Sequence, residues 1–167
     1  MTTPTITIRP ACHRDRASIV AITNAAYVVE NNFVHGERTD NKHIDSCFEQ
    51  GSFFVAYRND DDSDVVGSVF WQIKGKRGYF GLLAVTPVAQ GLGISKNLVT
   101  AVEQHCRAQQ CSFVDISVLS VRTELFGFYR HLGYASFDTM AFDVPEKQKV
   151  PFHLIRMTKA LRDDALL

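Results

Sequence analysis

Between residues 79 and 106 the chain changes its hydrophobic period within a few positions. Residues 79–85 are apolar almost throughout, as in a strand buried on both faces. Ile94, Leu98, Val102 and Cys106 then fall four apart, as on one face of a helix. Gly91 and Gly93 lie between the two patterns. A buried strand that feeds a helix through a short glycine turn belongs to a sheet with helices packed on it. The same turn bears on function. Glycine lets a ligand approach the backbone closely. The first turn of the helix has free N–H groups and the positive end of the helix dipole, which together suit a phosphate or pyrophosphate. On spacing alone, a tight turn with no ligand is an equal alternative. No GxxxxGK[ST] run occurs, and the third glycine of a dinucleotide fingerprint is missing.

Around this unit the other elements can be read in order. Residues 5–9 alternate like a strand, ended by Pro10. From Asp15, the residues Ile19, Ile22, Ala26 and Val29 predict an amphipathic helix, and Ile44, Cys47 and Phe48 a short second one with Gly51 as its C-terminal stop. Residues 53–57 and 65–73 read as strands joined by the acidic run 59–64, where crowded carboxylates fit a solvated turn better than a metal site. After the helix from residue 94 come a strand at 113–119 and a helix carrying Leu125, Phe128, Tyr129 and Leu132, stopped by Gly133. Strands at 134–144 and 152–159 form a terminal hairpin. The order is strand, helix, helix, three strands, helix, strand, helix, two strands: a mixed α/β sheet covered by helices.

With 167 residues, one domain over residues 1–167 is expected. Lys plus Arg equals Asp plus Glu at 18 each, so the basic excess of a nucleic-acid binder is missing. Cys12, Cys47, Cys106 and Cys111 match no zinc or redox spacing, and no apolar run suits a signal peptide or membrane span. The expectations are a cytoplasmic protein, no metal, and no nucleic-acid or membrane partner.

The segment from Val85 through Pro87 to Gln90-Gly91-Leu92-Gly93-Ile94-Ser95 resembles motif A of the GNAT superfamily of N-acetyltransferases, Q/R-x-x-G-x-G/A preceded by V-x-P. Ser95 stands where that motif usually has Gly or Ala. Leu125-Phe126-Gly127-Phe128-Tyr129-Arg130-His131-Leu132-Gly133-Tyr134 looks like the FYxxxGF segment of motif B. The resemblance implies a GNAT-like fold with a central mixed, mostly antiparallel sheet, in which the strands ending at Val85 and near Leu119 splay apart. It implies acetyl-CoA as co-substrate. Leu83, Ala84 and Val85 would flank its pantetheine arm, with backbone groups of Leu83 and Val85 bonding to it. Gln90, Gly91, Leu92, Gly93, Ile94 and Ser95 would hold its pyrophosphate. Tyr129 would protonate the leaving thiolate. Arg122 occupies the place of an asparagine that contacts pantetheine in many members, or else caps its helix.

The implied reaction is direct transfer to a primary amine, with a small molecule as acceptor. A protein N-acetyltransferase and a noncatalytic acyl-CoA-binding module are the alternatives. In this fold the loop between the first two helices lines the acceptor side, so Tyr27, Glu30, Phe33 and Arg38 are candidate substrate-binding residues, with His35 beside them. Glu30 is either the base or part of a surface salt bridge that orders the loop. Arg38 either binds a substrate carboxylate or pairs with Glu30. A homodimer is expected, with residues 152–159 joining a sheet edge.

Overall fold

Strands and helices fall where the changes of period place them. A computed structural model describes residues 2–161. In chain order these are β1 (Ile6–Pro10), α1 (Arg16–Ala26), α2 (Asn41–Gln50), β2 (Ser52–Arg58), β3 (Asp61–Lys74), β4 (Arg77–Val85), α3 (Ile94–Ala108), β5 (Phe113–Leu119), α4 (Thr123–His131), β6 (Ala135–Ala141) and β7 (His153–Ala160). Short 3-10 turns precede α1 (His13–Asp15) and follow it (Tyr27–Asn32). The seven strands form one sheet in the order β1-β2-β3-β4-β5-β7-β6. Every pairing is antiparallel except β4 with β5. That exception follows from α3, which carries the chain back so that β5 starts at the same end as β4. No helix among the described residues is long and apolar enough to cross a membrane.

Alternation along the strands feeds two cores. Ile19 of α1 and Ile44 of α2 pack with Phe53, Val55, Phe70 and Leu82. Ile94, Leu98 and Val102 of α3 pack with Val66, Val69, Phe80, Val114 and Met157 on the other face. At the acidic hairpin tip, Asn59 and Asp60 take φ of 56° and 58°. Asp62 pairs with Arg14 there, and Asp64 with Arg58.

Two expectations need correction, and two others hold in detail. The helix from Asp15 ends at Ala26, and Val29, assigned to its buried stripe, is 42% exposed. The chain tightens there into a 3-10 turn, whose three-residue period moves the stripe off the core. Gly51 does stop α2: it follows Gln50 with an extended φ of −165° and its amide donates to the Cys47 carbonyl, and it is glycine because a Cβ would run into the carbonyl of Trp71. The strand at 79–85 contributes to both cores, as expected: Leu82 to one, and Phe80 and Val85 to the other. Phe80, Leu82 and Ala84 are buried while Tyr79, Gly81 and Leu83 are only half-buried. Finally, β7 lies inside the sheet, paired with β5 on one side and β6 on the other, so it cannot join an edge to make a dimer.

Below the point where β4 and β5 part, Arg77 donates two 2.7 Å bonds to the buried Asp115, and so ties the two strands. Burial works to raise the Asp115 carboxyl, but the bonds from Arg77 and Thr158 and the charge of Arg156 outweigh it and hold the group below its ordinary value. Arg77→Met should lower stability at neutral pH by about 1–2 kcal/mol, the lower part of the range for a broken buried pair because the Arg77 side chain is 44% exposed. The unfolded chain binds the proton at higher pH than the folded one. The contribution is therefore present above the ordinary aspartate pKa and lost as pH falls through the depressed one. Urea unfolding between neutral and acid pH checks this: the variant should lose part of the acid-side slope, and an unchanged slope would refute the assignment.

Candidate active site

Pairing between β4 and β5 is short. Arg77, Gly78 and Tyr79 pair with Phe113, Val114 and Asp115, and beyond them the strands separate. The separation is widened by a bulge in β4. Ser68 pairs with Ala84 and Phe70 with Gly81, so Leu82 and Leu83 together oppose Val69. Leu82 takes φ of 51°, a left-handed conformation that disfavours an L-residue by roughly 1–2 kcal/mol and that concentrates at functional sites. Such a bulge releases backbone groups from the ladder.

The wedge between the strands opens a cleft of about 70 Å³ whose walls include Tyr27, Glu30, Arg38, Leu83, Ser117 and Tyr129. Residues from the first turn, from both strands and from α4 thus meet there. Tyr129 fills the gap where the strands part, its ring centroid 6.1 Å from that of Phe80. Burial, together with the nearby Tyr27 and Tyr79, holds its phenol far above the ordinary value, with Arg122 opposing weakly. Desolvation likewise pushes the Tyr27 phenol up to about 12. At neutral pH these tyrosines keep their protons.

Glu30 is only 7% exposed. Its Oε1 accepts a 2.8 Å bond from Arg122 Nη1, and Arg122 Nε donates to Glu124 at 2.6 Å. The ion pair is therefore buried, not the surface bridge that was one reading of Glu30. Arg122 makes no side-chain cap bond to α4; it joins that helix to the turn after α1 instead. Burial raises the Glu30 carboxyl, and Arg38 and Arg122 partly offset this. Arg38 lies over the ring of Tyr27, 5.3 Å from its centroid.

Phe33 and His35 do not line the cleft. They belong instead to a strap. The His35 amide donates to the Lys147 carbonyl and the Lys149 amide to the Phe33 carbonyl, both at 2.8 Å, and Val34 bridges Gln148. A strap at 144–151 is thus bonded to residues 31–35 through Lys147, Gln148 and Lys149. No sequence signal marks this role, because the partners are more than a hundred residues apart and bond through backbone.

Beyond the end of β4, α3 begins after Gly93, which takes φ 75° and ψ 14°. The amides of residues 91–96 have no hydrogen-bond partner among the described residues. The Gln90 amide, grouped with them from the sequence, already donates to the Pro87 carbonyl, and its side chain donates to the Val85 carbonyl at 3.3 Å. A Cβ at Gly91 or Gly93 would meet no protein atom within 4 Å. Free amides on an open glycine turn at a helix N-terminus fit a pyrophosphate. The side chains of Ala84, Val85 and Ile94 are buried. Of these only the backbone can face a ligand. A wider groove of about 490 Å³ between β1 and α3, past Phe54 and His105, contains none of these residues.

Comparison with known proteins converges on one family. The model of the acetyltransferase (GNAT) family matches residues 18–134. The ribosomal-protein-S18-alanine N-acetyltransferase of Escherichia coli has a similar fold, with a TM-score of 0.75 over 98% of this chain and 99% of that one at 14% identity. Nourseothricin acetyltransferase gives a TM-score of 0.73 over 94% and 99% of the two chains at 16% identity. The NatC complex bound to Gag peptide and CoA contains a chain that gives 0.73 over 94% and 99% at 17% identity. With a matched region that runs from α1 to the end of α4 and holds both the glycine turn and Tyr129, this chain belongs to the acetyltransferase (GNAT) family.

Proposed function

We propose that this chain transfers an acetyl group from acetyl-CoA to the primary amine of a small molecule, by direct attack in a ternary complex. The observation that carries the reading is the run of free amides at 91–96, which follows the end of β4, the strand whose residues 79–83 line the cleft with Tyr129 and Glu30. Acetyl-CoA supplies the acetyl group as a thioester. The amides and the dipole of α3 hold its pyrophosphate. The free edge of β4, with Leu83 and Val85, takes the pantetheine arm as an added strand. The released backbone of the bulge at Leu82 polarises the carbonyl. Glu30 accepts one proton of the incoming ammonium; as the C–N bond forms and the C–S bond breaks, Tyr129 gives its proton to the sulfur, and the second proton leaving the nitrogen replaces it on Tyr129.

The fold neighbours include enzymes named for protein and for small-molecule acceptors. The strap at 144–151 supports the small acceptor, because it is bonded to the loop that an extended peptide would have to cross. Thiol release measured against a panel of free amines and a panel of N-terminal peptides tests this. The free amines should be the better substrates; faster turnover of any peptide would assign a protein acceptor.

Glu30→Gln gives a second test. An alkyl amine with a pKa near ~10 is about one part in a thousand neutral at pH 7, so an enzyme without its base should be slow there. The rate should fall by ~10²-fold at pH 7 and recover in part as pH rises and the amine deprotonates itself. In the wild type, the rate should fall as acid protonates Glu30, at a pH above the ordinary glutamate value. A Glu30→Gln pH–rate profile parallel to the wild type would leave Glu30 a structural role only.

A further inference from the structure

Only two charged side chains line the cleft, Glu30 and Arg38. They are of opposite sign, and they differ in how far their bonding capacity is used. Glu30 gives Oε1 to Arg122. Its Oε2 has no hydrogen bond among the described residues, yet it is not among the buried polar atoms left without a partner. Oε2 therefore keeps some solvent access, on a residue that lines the cleft. Arg38 makes no hydrogen bond or ion pair among the described residues, and its one specific contact is the face of Tyr27. A guanidinium stacked on an aromatic ring keeps its N–H fork in plane and available for a bidentate acceptor.

Arg38 is also held in place. Its neighbour Thr39 is 5% exposed and clamped by Asn24, which donates to the Thr39 carbonyl at 3.0 Å and accepts from its amide at 2.9 Å. Asp40 then caps α2 by accepting from the His43 amide. On the other side the strap at 144–151 fixes residues 33–35. Arg38 lines the cleft, over the Tyr27 ring and alongside Glu30 and Tyr79 in its walls.

An exposed arginine that spends no donor within the protein, stacked and clamped on a cleft whose lining includes a carboxylate with a solvent-accessible oxygen, complements one kind of acceptor. We infer that the acceptor is an amino acid or close analogue, a small molecule with an amine and an acid group a few bonds apart. Glu30 Oε2 takes the ammonium and the Arg38 fork takes the acid. A polyamine would set its second cation against Arg38. A plain alkyl amine would leave the Arg38 fork unused. This inference rests on the acetyl-transfer reading for its chemistry, but the recognition itself is a binding event and can be measured alone.

The experiment titrates the standard L-amino acids and their carboxamides into CoA-saturated protein by calorimetry, for the wild type, Arg38→Gln and Arg38→Lys, with thiol release from acetyl-CoA followed in parallel. Arg38 is exposed, so circular dichroism should show all three folded alike. At least one acid should bind about tenfold to a hundredfold more tightly than its amide, the scale of a charge-assisted bidentate pair. Arg38→Gln should abolish that preference, and Arg38→Lys should restore part of it. Binding of no acid, equal binding of acid and amide, or a preference that survives in Arg38→Gln would each overturn the inference. Acid-selective binding with no thiol released by any amine would instead leave the inference standing and remove the acetyl-transfer reading.

Discussion

Gly93→Val should weaken acetyl-CoA binding by on the order of a hundredfold or more while the protein stays folded. Gly93 caps α3 at φ 75° and ψ 14°, a conformation that a β-branched residue strongly resists. The backbone would rotate to relieve the strain, and the amides that follow would turn with it. Those are the amides without partners in the protein, so the loss falls on the ligand. The new side chain would meet no protein atom within 4 Å as built, so packing gives no separate reason for failure. Gly75 is the control. It has φ of 59° with equally open surroundings, but it sits in the β3–β4 turn, at the opposite end of β4 from the N-terminus of α3. Gly75→Val should carry a similar strain and bind acetyl-CoA as the wild type does. Calorimetry that finds wild-type affinity in Gly93→Val, or equal losses in both variants, would remove the pyrophosphate site.

Tyr129→Phe should lower kcat by ~10²-fold or more and leave the affinity for acetyl-CoA unchanged. The ring keeps its packing against Phe80 and Tyr134, with centroids 6.1 Å away in each case. Its hydroxyl makes no hydrogen bond within the protein among the described residues, so stability should stay within about 0.5 kcal/mol. The phenol is protonated at neutral pH, and because its raised pKa opposes transfer to a thiolate whose conjugate acid ionises near ~8.5, the proton has to move as the attacking amine gives up its own. Stopped-flow thiol release separates chemistry from product release. An unchanged chemical rate in Tyr129→Phe would take the acid role away from it and turn attention to Tyr27 on the same cleft.

How much of this was legible in the sequence depended on range. Ile94, Leu98, Val102 and Cys106 gave α3 its buried face because helical periodicity is a local signal, and all four are at most 2% exposed. The glycine turn was legible for the same reason. Strand order was not. Hydrophobicity marks residues 152–159 as a strand, but nothing in that stretch says that β7 slots between β5 and β6 while the wholly exposed β6 takes the edge. The bulge at Leu82 has no marker either, since leucine is a poor choice for a left-handed backbone and tertiary pairing imposes it. The Glu30–Arg122 pair joins residues 92 positions apart, and local spacing offered Arg38 as a partner instead. Local chemistry named the candidate residues; the assembled sheet decided which of them meet.

The central claim is direct transfer within a ternary complex, with no acyl-enzyme. Of the four cysteines, Cys47, Cys106 and Cys111 are buried, and none lines the cleft. The most direct measurement mixes stoichiometric protein with acetyl-CoA, first alone and then with the acceptor amine, and follows free thiol and the mass of the intact protein together. Without amine, thiol should stay flat and the protein mass unchanged; with amine, one equivalent of thiol should appear together with one of N-acetylated product. A burst of thiol before the amine is added, matched by an acetyl group gained on the protein, would contradict the account.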